Sequence, residues 1–253
     1  MFPNYQLQMK PETQPKATLT NDFYAIPIAD FFKMALSVDC VIFGHQGKEL
    51  KVLLIQRGAE PYLGKWALPG DLVYPSEDLS SAAMRVLKDL TTLDRVLFEQ
   101  VGVFGNPNRH PLGRVITTGY LALVEIQDYT PMASAWATQA VWYDVNELPE
   151  LAFDHEEILT TALHTLQDTV RHKPVGIGVL PSYFTITELQ ELYEAIYNTT
   201  YDKGNFRKKL NEWRHLDDTG KLQQNVAHRP AKLFTFNLER YAELEERGFN
   251  FDL

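Results

Sequence analysis

The hydrophobic and polar positions of residues 36–58 are arranged as in a β-hairpin. Two runs rich in valine, leucine and isoleucine, 36–44 and 50–58, flank the polar stretch 45–49. Two strand-like runs joined by a short polar turn predict antiparallel pairing. Further β-rich runs span 95–105, 114–126 and 140–149. The sequence therefore predicts a β-sheet over this part of the chain.

Two helices are predicted among these strands. Residues 78–90 repeat apolar side chains at helical spacing, and residues 155–170 form an amphipathic helix that follows Asp154, a suitable N-cap. Strands that alternate with helices indicate an α/β layered domain, which we place at residues 21–175. Residues 1–20 are polar, contain three prolines and lack periodicity, so we expect a flexible tail there.

A stretch rich in glycine and proline, 172–184, precedes a C-terminal part with a different pattern. Thr185 and Glu188 have the spacing of a capping box at the start of a helix. The apolar face of that helix comprises Leu189, Leu192, Tyr193 and Ile196. A second helix is predicted over 203–215, with Asp202 as its N-cap.

A hairpin and a strand are predicted after the second helix. Phe206, Leu210 and Trp213 form the buried stripe of the second helix, and a polar hairpin-like stretch and a strand over 231–237 follow it. A helix, a short turn, a second helix and a β-hairpin are typical of a winged helix-turn-helix. We place this domain at residues 176–253.

Composition and charge narrow the class of protein. The chain is 45% hydrophobic, and its net charge of −9 argues against a surface that binds nucleic acid everywhere. Residues 203–214 depart from this balance, with five basic residues and one acidic residue. Cys40 is the single cysteine, which fits a cytoplasmic protein. Because neither a secretory signal nor a membrane-spanning apolar run is present, we expect no membrane partner.

The segment 66–93 resembles the Nudix family, whose box runs G-x5-E-x7-R-E-U-x-E-E-x-G-U, where U is a bulky aliphatic residue. The family's lead-in is present as WALPG, and Glu77 and Arg85 keep the family's spacing. One extra residue stands between Gly70 and Glu77. The motif's remaining glutamates fall on Val86, Asp89 and Leu90, and its second glycine falls on Thr92. The resemblance implies an α/β/α Nudix-like sandwich.

A magnesium site needs several oxygen ligands in near-octahedral geometry. Val86 and Leu90 cannot ligate a cation and extend an apolar stripe instead, so of the helix acids Asp89 remains. A shifted site built from Glu77, Asp78 and Asp89 is an alternative, although acids in the first turn also serve the helix dipole. We therefore expect no bound metal, no other cofactor and no catalytic residue, and we interpret the charged positions as remnants of a catalytic box.

A loop between two predicted strands carries Arg109, His110 and Arg114. Guanidinium groups suit phosphates or sugar hydroxyls because they present forked donors. The alternative is a solvated loop with charged residues. The candidate effector-binding residues are Arg57, Trp66, Arg85, Arg109, His110 and Arg114.

The second C-terminal helix has a basic face opposite its buried stripe. Arginine and lysine can contact guanine edges or phosphates, and asparagine can pair with adenine. A solvated basic face is the alternative interpretation. The candidate DNA-binding residues are Lys203, Gly204, Arg207, Lys208, Lys209, Asn211, Arg214, Arg229 and Lys232.

The Nudix-like part followed by this C-terminal pattern resembles the bacterial Nudix-related transcriptional regulators over residues 30–236. The resemblance implies loss of hydrolase activity and a Nudix cleft that senses a small effector, either ADP-ribose or a pentose such as arabinose. Departures from the family pattern stand at Asn108, His110 and His228. Since helix-turn-helix proteins usually bind palindromic sites as two-fold dimers, we expect a homodimer on double-stranded operator DNA.

Two other functions remain open on the sequence alone. A magnesium-dependent Nudix pyrophosphohydrolase acting on ADP-ribose-like substrates would use Glu77, Arg85 and Asp89. A non-catalytic adaptor would use both domains for protein contacts.

Overall fold

A computed structural model gives the fold of the chain. It describes residues 33–91, 97–126, 137–173, 175–177, 179–213, 215–224, 226–227 and 229–248. The predicted tail at 1–20, Thr92, Arg214 and His228 lie outside these residues, as do the side chains of Leu90 and Trp213.

The first part of the described chain forms one seven-stranded mixed sheet. Its strands are β1 (Ala35–Gln46), β2 (Glu49–Arg57), β3 (Trp66–Ala67), β4 (Gly70–Leu72), β5 (Leu97–Phe104), β6 (Val115–Glu125) and β7 (Ala137–Asp144). The order is β3-β2-β1-β6-β5, with β4 also paired to β1 and β7 to β2. β1 and β6 run parallel, and the predicted hairpin of β1 and β2 is confirmed.

Helices α1 (Leu79–Thr91) and α2 (His155–His172) cover opposite faces of this sheet. Successive side chains of a strand point to opposite faces, and β1 shows this directly. Cys40 and Ile42 belong to the core under α1, whereas Val41 and Phe43 belong to the core under α2. The predicted α/β/α sandwich is confirmed.

The C-terminal part forms a winged helix. Its elements are α3 (Ile186–Tyr197), α4 (Lys203–Trp213), the antiparallel strands β8 (Leu216–Leu222) and β9 (Lys232–Phe236), and α5 (Leu238–Arg247). The capping box is confirmed, because the Thr185 hydroxyl accepts from the Glu188 N–H and the Glu188 carboxylate accepts from the Thr185 N–H. Asp202 caps α4 by accepting from the Asn205 N–H at 2.9 Å. Helix α5 was not predicted.

The winged helix packs directly on the α2 face of the sheet. One hydrophobic core contains Phe43 of β1, Leu166 of α2, Leu192 of α3 and Phe206 of α4. Polar contacts border it, since the Tyr197 hydroxyl donates to the Gln167 carbonyl at 2.7 Å. No helix in the described ranges has the length and apolar character needed to cross a lipid bilayer.

Candidate functional site

The loop before α1 is held together by Arg85. Its guanidinium donates to both oxygens of Glu77, at 2.7 and 3.0 Å, and to Asp71 Oδ2 at 2.7 Å. The Tyr74 ring lies 4.0 Å from the Arg85 Cζ, and the Tyr74 N–H donates to Glu77 Oε2 at 3.1 Å. The Arg85 hydrogen bond lowers the pKa of Glu77. Glu77 and Arg85, two of the remnants of the catalytic box, therefore fix the shape of this loop.

The carboxylates around α1 have separate partners. Glu77 is bound by Arg85, and Asp78 caps the helix by accepting from the Ser81 N–H at 2.7 Å. Val86, where the Nudix motif has a glutamate, is buried in the core, while Asp89 is exposed. Within the described residues no cluster of three or more histidine, cysteine, aspartate or glutamate side chains is placed to hold a metal.

A buried ion cluster lies at one end of the sheet. Arg109 donates to both oxygens of Asp154, at 2.7 and 2.8 Å, and to Asp39 Oδ2 at 3.3 Å. The Arg109 side chain is 3% exposed and that of Asp39 is 9% exposed. The predicted position of Asp154 at the start of α2 is confirmed, although its side chain does not cap the helix. The residue stands at the N-cap of α2 without a capping hydrogen bond, because its carboxylate is bound by Arg109.

His155 extends the cluster as a neutral ring. Its Nδ1 accepts from the Leu68 N–H at 2.9 Å, which leaves the proton on Nε2, 3.6 Å from Asp39 Oδ1. Burial lowers the pKa of His155 in spite of the nearby carboxylates. Gly70 lies against the same aspartate, since a Cβ there would overlap Asp39 Oδ1. Only glycine fits this close approach.

Phe153 gathers four side chains beside the ion cluster. Its ring centroid lies 4.7 Å from that of Tyr62, 5.2 Å from that of His110 and 5.1 Å from that of His155. The Arg57 Cζ lies 4.9 Å from the same centroid. Arg57, Arg109 and His110, three of the candidate effector-binding residues, therefore meet in one neighbourhood.

The structure places the other three candidates elsewhere. The Trp66 ring packs edge-to-face on Tyr143 at 4.9 Å, against the core under α2. Arg114 donates to the Gly105 carbonyl at 2.5 Å and so closes the loop between β5 and β6. Arg85 lies on α1 and holds the loop before that helix.

Sequence reasoning missed Asp39, Tyr62, Phe153 and Asp154 as members of this neighbourhood. Asp39 carried a usable signal, because a carboxylate inside an apolar strand has to find a partner when the strand is buried. Tyr62 and Phe153 carried none, since each stands alone in an irregular segment.

The second candidate site is the outer face of α4. Phe206 and Leu210 are buried, as predicted. Lys203, Gly204, Arg207, Lys208 and Asn211 are exposed, whereas Lys209 is half-buried. These exposed residues form one basic face on the second helix of the helix-turn-helix.

The wing stands beside this face. A cavity of about 400 Å³ separates Arg207 and Asn211 of α4 from Lys232 of β9 and from the start of α3. Arg229 is exposed just before β9, and Lys232 pairs with Asp218 of β8 at 2.7 Å. Three of the candidate DNA-binding residues, Arg207, Asn211 and Lys232, thus line one groove.

Comparison with known proteins identifies the families of both parts of the chain. Residues 33–162 match the NUDIX domain family, and residues 176–236 match the family described as the NrtR DNA-binding winged helix domain. The ADPR responsive transcriptional repressor NtrR of Acinetobacter baylyi is 35% identical over 223 residues, which cover 84% of this chain and 86% of that protein. The crystal structure of Shewanella oneidensis NrtR complexed with a 27mer DNA superposes with a TM-score of 0.72 at 29% identity, covering 86% of this chain and 99% of that one.

The Nudix part alone is also similar to an enzyme. The ADP-ribose pyrophosphatase of Methanocaldococcus jannaschii is 36% identical over 125 residues, which cover 49% of this chain and 70% of that enzyme. The similarity to the Acinetobacter repressor, by contrast, extends over 84% of the chain, and the winged-helix match accounts for the part beyond the Nudix domain. The chain therefore belongs to the family of Nudix-domain transcriptional regulators that carry an NrtR-type winged helix.

Proposed function

We propose that this chain represses or activates transcription by binding operator DNA through α4 and the wing, and that an ADP-ribose-like effector bound to its Nudix domain controls this binding. The observation that carries the proposal is the exposed basic face of α4 in a winged helix fused to a Nudix domain. Arg207, Lys208 and Asn211 would reach base edges or phosphates. Lys203 and Arg229 would contact DNA phosphates and so position the protein on the duplex.

Fluorescence anisotropy with a labelled duplex from the gene's own upstream region tests the DNA site. We expect binding that weakens steeply with salt, because protein cations replace counterions on the DNA. The double variant Arg207→Ala with Lys208→Ala should lose most of this affinity. The matched control, Arg171→Ala with Lys173→Ala, removes two cations from the end of α2 and should bind like the wild type. Equal binding by all three proteins would refute the DNA site.

The effector is proposed from two observations. The repressor of Acinetobacter baylyi is named as ADPR responsive, and the methanogen enzyme is named for ADP-ribose. In this chain Arg57 and His110 meet around Phe153 at the end of the sheet, where a cation and aromatic rings suit a nucleotide sugar. Arg109 would support them from the buried ion cluster.

A thermal-shift panel with ADP-ribose, NAD, arabinose and xylose tests the effector class. A ligand that binds the folded state raises the apparent stability, by about 2.7 kcal/mol at a concentration one hundred times its Kd. We expect ADP-ribose to raise the Tm and to change the DNA anisotropy. A response to arabinose instead would assign the pentose alternative and refute the nucleotide-sugar proposal.

We also propose that the functional unit is a homodimer, because a helix-turn-helix protein reads two half-sites with two copies of its recognition helix. Sedimentation equilibrium should give twice the chain mass of 29.0 kDa. A monomer, both free and on DNA, would contradict the two-fold arrangement.

Hydrolysis of ADP-ribose is the second candidate function, favoured by the similarity to the methanogen pyrophosphatase. We propose that the chain lacks it, because Glu77 and Asp71 are bound to Arg85 and Val86 offers no oxygen. Incubation of the protein with ADP-ribose and Mg²⁺ should release no AMP. Turnover that disappears in Glu77→Gln would establish the enzyme instead.

A further inference from the structure

Two buried polar side chains of α3 hold the turn that leads into α4. Gln190 and Glu194 are 5% and 4% exposed. The Glu194 carboxylate accepts from the Tyr201 N–H at 2.9 Å, and the Gln190 side-chain amide donates to the Tyr201 carbonyl at 2.9 Å. The same amide donates to Glu194 at 2.7 Å. Both the N–H and the carbonyl of one turn residue are therefore bound by the preceding helix.

The position of Tyr201 determines where α4 begins. The residue stands immediately before Asp202, which caps α4. The Tyr201 ring also stacks on Phe206 of α4, with the ring centroids 6.1 Å apart and an interplanar angle of 28°. Arg207 and Lys208 follow Phe206 on the same helix. A shift of the turn would therefore move these two basic side chains relative to DNA.

Glu194 is bound to the Nudix part as well. Lys48, in the turn between β1 and β2, reaches Glu194 Oε2 at 2.8 Å, whereas the Tyr201 N–H donates to Oε1. A neutral glutamine could accept from Tyr201 equally well, and burying a charge costs free energy unless a cation pairs with it. The charge at position 194 therefore serves the contact with Lys48.

The same end of α3 is attached to the Nudix part at two further points. Gln167 of α2 donates its side-chain amide to the Ile196 carbonyl at 3.1 Å. Asn198, the C-cap of α3, donates its side-chain amide to Asn146 Oδ1 at 3.2 Å, just after β7. The last turn of α3 is thus held by residues outside the winged helix, and this last turn directly precedes the turn that carries Tyr201.

We propose that Glu194 is a positioning residue for DNA recognition, which sets the orientation of α4, and that Lys48 of the Nudix part holds its carboxylate in place. This assignment rests on the proposed DNA-binding function, since it names what orients the helix that reads the operator. Specific binding needs side chains of α4 aligned with base edges, while non-specific binding needs cations near phosphates. A misaligned α4 therefore loses affinity for the operator and keeps its affinity for unrelated DNA.

Fluorescence anisotropy on the full-length chain tests this with two duplexes of equal length. One is the duplex from the gene's own upstream region, and the other has an unrelated sequence. Glu194→Ala removes the acceptor of Tyr201 and the partner of Lys48. We expect it to weaken binding to the upstream duplex by about 5- to 150-fold, the factor that corresponds to an unsatisfied buried hydrogen-bonding group, and to leave binding to the unrelated duplex unchanged.

Two milder variants separate the two contacts of Glu194. Glu194→Gln keeps an acceptor for Tyr201 but loses the ion pair, and Lys48→Met loses the same ion pair from the other side. Each should weaken binding to the upstream duplex less than Glu194→Ala does. The double variant should bind no more weakly than either single variant, because both changes remove one interaction. These variants also carry the test if Glu194→Ala does not fold, and circular dichroism at the assay temperature shows which proteins are folded.

The matched control is Lys51→Met in the same hairpin. Lys51 pairs with Glu49 at 2.7 Å, within the hairpin itself, and its replacement should leave binding to both duplexes unchanged. Wild-type affinity in every folded variant of Glu194 and Lys48, or an equal loss on both duplexes, would overturn the positioning role while leaving the proposed DNA site intact. Additive losses in the double variant would show that Lys48 does not act through Glu194. A wild-type protein that binds neither duplex would refute the proposed function itself.

Discussion

Replacing Arg109 by methionine removes the cation that holds two carboxylates inside the protein. Methionine keeps much of the length and apolar surface of the stem, so the main loss is the charge. Asp39 and Asp154, whose side chains are 9% and 16% exposed, would then face each other without their partner. Breaking a buried ion pair by removing one member costs about 3–5 kcal/mol, because the remaining charge stays uncompensated.

This cost converts into a measurable shift in melting temperature. For a chain of about this size, 1 kcal/mol corresponds to about 2–4 °C, so Arg109→Met should lower the Tm by about 6–20 °C. Circular dichroism during heating measures the Tm, and urea unfolding measures the free energy of unfolding independently. Arg171→Met, at an exposed position of α2, should stay within about 0.5 kcal/mol of the wild type.

A rescue experiment separates lost charge pairing from lost packing. Adding Asp39→Asn and Asp154→Asn to Arg109→Met removes the uncompensated charges and should recover part of the stability, since neutral replacement of a whole buried pair costs little. If the free energy of unfolding of Arg109→Met lies within about 1 kcal/mol of the wild-type value, the ion cluster does not stabilise the fold by charge pairing. If the triple variant is less stable still, packing around the stem explains the loss.

Three further predictions concern stability. Gly70→Ala should cost about 1–3 kcal/mol in urea unfolding, because its Cβ would stand 2.7 Å from the Val38 carbonyl and closer still to Asp39. Lys48→Met should lower the free energy of unfolding, because the Lys48 ammonium reaches the buried Glu194 at 2.8 Å across the contact between sheet and winged helix. A variant as stable as the wild type would contradict this. Burial raises the pKa of Glu194, but the hydrogen bonds from Lys48 and other donors outweigh burial, so the pKa in the folded state is lowered. The stabilisation by ionised Glu194 should therefore be complete above the unfolded pKa of about 4.3. It should disappear as the pH falls through the lower pKa of the folded state. Urea unfolding of wild type and Glu194→Gln from pH 7 to pH 3 checks this, and an advantage of the wild type that grows on acidification would refute it.

Local sequence signals predicted the parts of the fold that depend on neighbouring residues. The capping box of Thr185 and Glu188 was predicted because both partners lie within one turn. The hairpin of β1 and β2 was predicted because the short polar stretch 45–49 separates two apolar runs. The apolar stripe of α1 likewise predicted that Val86 is buried. Periodicity over a short window is sufficient for such features.

The ion cluster and the side chains around Phe153 could not be predicted in the same way. Arg109 meets a partner 70 residues earlier and another 45 residues later, so the contact exists only once the sheet has formed. The same pairing explains why Asp154 looked like a cap: its type and position were right, but a stronger partner from a distant loop takes its carboxylate. Helix α5 was missed although Asn237 before it and Gly248 after it are typical boundary residues of a helix.

The core shared by the sheet, α2 and the first two helices of the winged helix has a consequence for protein engineering. Removing the chain after about residue 175 would strip the cover from Phe43 and Leu166 and leave an apolar surface on the Nudix part. A DNA-binding domain from a relative could be grafted here only together with the side chains that fill this core. Heating should accordingly melt both parts in one cooperative transition.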